Sequence, residues 1–466
     1  MHGTELLVKT SKFEIWLAQI YIFLLPIRMI SPLLGVAAMF HGAAVYFDFI
    51  LNILGILLYL FHSNWKLHIA KDDSSTLTRD FVVSIVILNV LSVVMAIETQ
   101  ITQGNYAGES AFSGIIGMQI YYFQFALIIL YNRRVFNILL EDEIWKILSY
   151  SSAFLLILGY LQMAALLFGG VFRNALISMD IFRILWPDDN MWKLSLTGKE
   201  GAEAGTVLGV FVLPYLLSSI AIGKNKALNM LQLILWVPVL VMMQSTSAYL
   251  MAASAIIGYF FFVFSSDKRK QVALILIAAL GCVLIMLFGN SIIDSLPSDV
   301  RYLLFDKATD MNNGSTISRT VPLITNWKAF LEHPLFGVGN GLQGYYFVRN
   351  IPQWMLNVPG SDIGTFYQTA KRQIINGGVF FPSYMSGYGI AGLSILIYLV
   401  YKIKCVMKSM KMASAKFYTL FSIAVWPIIV CGFQGDFSGD YLIWFMISLP
   451  FISYCVGNGR HIEGER

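Results

Sequence analysis

Apolar runs long enough to cross a bilayer recur from one end of this chain to the other, and that recurrence limits the fold more than any other feature. A membrane helix needs roughly 17–25 mainly apolar residues. Twelve stretches approach this, at residues 13–31, 42–62, 80–98, 113–131, 147–170, 203–222, 229–245, 247–265, 272–290, 378–401, 417–434 and 439–456. Only Gln244-Ser245-Thr246-Ser247 separates the seventh from the eighth, so those two form either a tight hairpin or one irregular unit. The chain is 57% hydrophobic and 13% charged, against about 25% charged in an ordinary soluble domain. The expectation is an all-α polytopic membrane protein of about twelve transmembrane helices.

Lys and Arg set the orientation, because short cytoplasmic loops collect them. With both termini inside, the inner segments hold 20 of the 32 basic residues, among them Lys66, Lys71, Arg133, Arg134, Lys224, Lys402 and Lys416. The short outer connections 32–41, 99–112 and 435–438 hold none. Eleven of the remaining twelve lie in two outer segments, 171–202 and 291–377. Long loops escape the charge rule, so these two either translocate regardless of charge or bind an anion. The chain divides into 1–290 (nine spans with the loop 171–202), the large outer loop 291–377, and 378–466 (three spans and a cytoplasmic tail).

The basic residues fall in short clusters between apolar runs, so a net charge of +5 does not point to nucleic acid. Cys282, Cys405, Cys431 and Cys455 form no C-x-x-C pair and avoid the outer loops, which argues against a zinc or redox motif and against a disulfide framework. No cleaved signal is expected at the N-terminus.

The large outer loop carries the chemistry. Asn312-Asn313-Gly314 reads as a turn. Leu323, Ile324, Trp327, Phe330 and Leu331 then recur at i, i+1, i+4, i+7 and i+8, one face of a short amphipathic helix. Pro322 suits its first turn, Pro334 stops it, and Ser318 or Thr320 is the expected N-cap. Arg319 then stands at a helix N-terminus, where the dipole and free N–H groups favour an anion and a guanidinium fork matches phosphate oxygens. The alternative is a salt bridge from Arg319 to Asp310 or Glu332. Gly337-Val338-Gly339-Asn340-Gly341 follows no strand, so it reads as a tight turn back rather than a nucleotide loop. His333 can titrate near neutral pH, although a packed or solvated role also fits it.

The first outer loop contributes Arg173, Arg183 and Lys193, and ends at Glu200 and Glu203 on top of the sixth span. Each glutamate is either a dipole cap or a catalytic base or sugar ligand. Trp186, Trp192, Trp327, Tyr345, Tyr346, Trp354 and Tyr367 form either sugar platforms or an interfacial belt. Asp48 and Arg28, charged and near span ends, are second-rank candidates.

The stretch from Ser318-Arg319 through Trp327 to Pro334-Leu335-Phe336-Gly337-Val338-Gly339-Asn340-Gly341 resembles the signature of the Wzy/WaaL superfamily of O-antigen polymerases and ligases. Gly387-Tyr388-Gly389-Ile390-Ala391-Gly392 is similar to the helix that follows the large loop in that family, and Lys193 to Gly205 is similar to its polymerase pattern. Lys193 stands where the pattern has Arg, which removes a bidentate phosphate grip. The ligase branch carries a His about eleven residues before the later glycine helix, and Ile374 to Pro382 contain none. That favours polymerase over ligase.

The resemblance implies a GT-C-like fold and an inverting, metal-independent glycosyltransferase of the bacterial inner membrane, with no cofactor. Its substrate is an undecaprenyl-diphosphate-linked oligosaccharide facing the periplasm, and a chain-length regulator is an implied partner. Arg319, Arg183 and Glu200 are the expected catalytic residues, the glutamate as base. Arg173, Lys193, His333, Asp362 and Tyr345 are the expected substrate contacts. A ligase and a polysaccharide flippase are the rival functions.

Overall fold

The computed structural model describes residues 10–27, 43–63, 65, 73–105, 110–170, 174, 194–198, 201–265, 268–270, 272–273, 276, 314–358, 363–364, 367–368, 378–435 and 440–452, and every structural statement below concerns these. They are helical, with no strand among them. In chain order the helices are α1 Lys12–Leu24, α2 Ala43–His62, α3 Asp73–Gln103, α4 Ala111–Ile138 and α5 Glu141–Phe168. Then come α6 Gly201–Ala221, α7 Lys226–Met242, α8 Thr246–Val263, α9 Gly314–Glu332 and α10 Gln343–Asn350. Last are α11 Phe380–Ala413, α12 Ala415–Gln434 and α13 Tyr441–Ser448. Six described helices (α3, α5, α6, α8, α11 and α12) are long and apolar enough to cross a membrane, and Ile50–His62, Lys226–Met242 and Tyr441–Phe451 are shorter apolar helices. The expected ninth span, 272–290, lies almost wholly outside the described residues.

The ambiguous pair resolves into two helices. Gln244, at φ 47°, turns the chain between them. Beyond the turn their packing differs: α7 lies on α5 and the last part of α6, whereas α8 lies on α12 and along the length of α6. Within α6, Leu208–Val212 is a π-turn in which Leu213 N–H reaches back to Leu208 O. Pro214 has no N–H to offer Val210, and widening the turn accommodates that loss.

Several helices are apolar outside and polar inside. On α3, Val82, Val86, Val90, Val94, Ile97 and Ile101 are exposed, while Thr78, Ser84, Ser92 and Thr99 are buried. A helix of this kind is solvated by lipid.

The basic residues assigned to inner segments gather at one end of the bundle. Lys224 and Lys416 both contact the Asp142 carboxylate, at 2.7 and 2.8 Å, which ties together the ends of α5, α6 and α12. Arg133 donates to Thr78, Ser75 and the Phe451 carbonyl, joining α3, α4 and the end of the chain's last described helix. Lys402 meets Asp80 at 3.0 Å. Consecutive spans must alternate in direction for these ends to meet, as the charge pattern requires.

Deepest at this basic end is Glu14, fully buried, 2.7 Å from Arg134 Nε and 3.4 Å from His62 Nδ1. Removing one member of a buried pair strands the other charge, at a cost of about 3–5 kcal/mol. Arg134→Met is therefore expected to lower the detergent melting temperature more than the double change Glu14→Met with Arg134→Met. A double variant less stable than the single one would contradict this.

Candidate active site

At the opposite end of the bundle, the two glycine-containing stretches singled out in the sequence lock onto each other. Helix α11 breaks at Gly389, which lies at φ 61°, ψ −152°. The break frees backbone groups in an apolar segment, and they must find protein partners. The segment after α9 supplies them. Val338 and Gly339 N–H donate to Ser386 and Gly387 O, at 2.8 and 2.9 Å. Ile390 and Ala391 N–H donate to Pro334 and Leu335 O, at 2.8 and 3.0 Å. Only glycine fits at the crossing: a Cβ on Gly337 would stand 2.4 Å from the Gly387 carbonyl carbon, and one on Gly389 would stand 2.6 Å from Pro334 O.

Buried side chains complete the lock. Ser386 Oγ donates to Asn326 Oδ1 at 2.6 Å, and Asn326 Nδ2 donates to Pro322 O, so α9 is pinned to α11. Gln343 Nε2 donates to Asn340 Oδ1 and Ser383 O, and its Oε1 accepts from Gly341 N–H. The same turn rests on α3 and α4, with Asn340 N–H on Ser92 Oγ at 3.4 Å and Gly341 against the Gly114 carbonyl. The expected tight turn at Gly337–Gly341 is present, with positive φ at Gly337, Gly339 and Gly341. Asn326, Gln343 and Ser386 went unnoticed in the sequence, and Asn340 was read only as part of the glycine turn. Their signal was amide and hydroxyl side chains inside or beside apolar helices, which is informative only once the partner segment is known.

The start of α9 corrects an expectation. The helix begins at Gly314, so Ser318 lies inside it, Pro322 sits mid-helix and Arg319 is in the second turn rather than at the N-terminus. Thr320 does not cap; its Oγ1 donates back to Thr316 O at 2.9 Å. Packing explains the extra turns. Ile317 and Val321 are buried against Phe347, Ile351, Met355 and Ile363, and this cluster holds the helix ahead of the proline. The helix-dipole argument for Arg319 therefore falls; the residue is half-buried on α9. Glu332 pairs with Arg349. Pro334 follows the helix end at Glu332, as expected.

His333 and Tyr345 are described, and neither adjoins Arg319 along the chain. His333 stands fourteen residues on, roughly 20 Å along a helix axis, with its ring 5.1 Å from that of Tyr346. Tyr345 is buried with Ala96, Ile115 and Ala329, and its hydroxyl reaches Gly104 O at 3.5 Å. Burial raises the Tyr346 phenol above its ordinary value, so near neutral pH it stays protonated and cannot act as a base. Asp48 is buried in α2, with Asn52 Nδ2 donating to its backbone carbonyl.

Arg173, Arg183, Lys193, Glu200 and Asp362 lie outside the described residues, as does Arg28. The piece between two of them, 194–198, is described and firmly held. Gln162 brackets Leu196, donating to its carbonyl at 2.6 Å and accepting from its N–H at 2.9 Å. Thr197 Oγ1 donates to Pro26 O. The motif then enters α6, whose Gly201, Gly205 and Gly209 face Met243, Ala248 and Met251. A Cβ at Gly205 would lie 2.4 Å from Ala248 Cα. These glycines let α6 and α8 approach closely.

Residues 231–367 match a family model described as O-antigen ligase, a span that includes Arg319 and the whole Pro334–Gly341 turn. The match supports a likeness to the Wzy/WaaL superfamily. Among curated proteins no match is found. The family match supports a function of the O-antigen polymerase or ligase type, in a multi-pass membrane protein. The two glycine stretches that carry the resemblance are the two halves of one backbone lock.

Proposed function

We propose that this protein is the polymerase of an O-antigen or related surface polysaccharide, moving a growing glycan from undecaprenyl diphosphate to the non-reducing end of a lipid-linked repeat unit. The observation that carries the reading is the family match across Arg319 and the turn that locks α9 to α11. The acceptor hydroxyl oxygen attacks the anomeric carbon with inversion, and the bond from that carbon to the diphosphate oxygen breaks. The hydroxyl proton passes to Glu200. The lipid diphosphate leaves with the bonding electron pair and needs charge stabilisation more than protonation. Arg319 supplies it, helped by Arg183, Arg173 and Lys193. His333, Asp362 and Tyr345 are the proposed contacts to the rest of the substrate. No metal or other cofactor is required, and the site faces the periplasm of a bacterial inner-membrane protein with both termini cytoplasmic.

The family description itself favours a second reading, that of ligase; the missing histidine before the α11 glycines favours polymerase. Deletion of the gene distinguishes them. A polymerase defect leaves lipid A-core carrying one repeat unit, and this is the expected result. Lipid A-core with no repeat unit would identify a ligase.

A further inference from the structure

The apolar stripe of α9 does not face the protein. Leu323, Trp327 and Leu331 recur at i, i+4 and i+8 and are 37%, 54% and 59% exposed, while Ile317, Val321, Thr325 and Ala329 form the buried face. Leu335 and Phe336 extend the exposed stripe past the helix end. At that point Pro334 and Leu335 accept backbone hydrogen bonds from Ile390 and Ala391 of α11. Ile390 is itself exposed, and Ile397 and Val400 continue the outward apolar face of this membrane-spanning helix. The stripe of α9 is thus one surface with the lipid-facing side of α11.

Another flank of α9 is polar. Lys328, five residues after Leu323, donates to Asn350 O, and Glu332, four further on, pairs with Arg349. A helix with an apolar stripe beside a charged flank lies in a membrane interface, and tryptophan prefers that depth.

We infer that α9 is embedded in the leaflet at its end of the bundle, with lipid acyl chains covering Leu323, Trp327, Leu331, Leu335 and Phe336. Arg319 stands one helical turn, about 6 Å, before the first residue of the stripe. The helix therefore holds Arg319 at the height of the lipid phosphates. That consequence for catalysis rests on the transferase reading; the membrane contact does not.

The test is fluorescence of the full chain in nanodiscs, with Trp327's share taken as the difference between wild type and Trp327→Phe. The phenylalanine variant preserves the stripe, and its unchanged melting temperature confirms that it folds. The expected result is loss of Trp327's emission with lipids brominated near the headgroup end of their chains, and little change with aqueous iodide. Quenching by iodide alone would show a water-exposed helix. Resistance to both quenchers would show a protein-covered stripe, a second copy included. Either outcome overturns the inference. Because no catalytic readout enters, a failed test leaves the transferase reading standing on its own evidence.

Discussion

Alanine at Gly337 or Gly389 is expected to abolish accumulation of folded protein. Backbone at positive φ in these sparsely allowed regions alone costs an L-residue about 1–3 kcal/mol. At these two positions the new methyl group also meets backbone atoms, 2.4 Å away at Gly337 and 2.6 Å away at Gly389. Neither neighbour can rotate aside, so the four hydrogen bonds between residues 334–339 and 386–391 must part. Groups left unpaired in an apolar setting cost about 1–3 kcal/mol each, which puts the total well above about 4 kcal/mol. Gly104 is the control. It has φ 71° with nothing within 4 Å of an added Cβ, so Gly104→Ala carries the conformational cost alone. Detergent melting temperatures and yields of the three variants check this. Near-wild-type yield of Gly389→Ala would mean that the lock is not needed for folding.

The second large effect concerns Arg319. Removing a preorganised charge-stabilising donor typically costs about 100- to 1,000-fold in turnover. If Arg319 supplies that stabilisation as proposed, Arg319→Ala loses polymer on that scale, and its melting temperature checks that the variant folds. Arg319→Lys keeps the charge without the planar fork and should recover part of the activity. Polymer ladders of wild-type length from Arg319→Ala, run on gels from complemented cells, would remove this residue from the site.

How far the sequence could be read depended on whether the deciding contacts were local. Apolar length is local, and α3, α5, α6, α8 and α12 lie where hydropathy put them, although α3 and α11 run past the expected ends on polar turns. Charge alternation is nearly local, and the Asp142–Lys224–Lys416 cluster agrees with it. The turn at Gly337–Gly341 was legible because its glycines need no partner to be recognised. Three features were not legible. Gly389 looks like any small residue in a span, and its break makes sense only with residues 334–339 beside it. The start of α9 was misplaced because Pro322 argued for a first turn, whereas burial of Ile317 and Val321 carried the helix through it. The direction of the Leu323–Leu331 stripe was hidden because, in a membrane protein, an apolar face points to lipid as readily as to the core.

If this chain joins glycan units by displacing a lipid diphosphate, as we propose, it needs no ion gradient to do so. Purified protein in ion-tight vesicles without a gradient, supplied only with polyprenyl-diphosphate-linked repeat units, tests this. Glycan chains that lengthen while free polyprenyl diphosphate appears in step with each added unit are the predicted result. Units that cross the bilayer without lengthening, with no lipid diphosphate released, would make the protein a transporter instead.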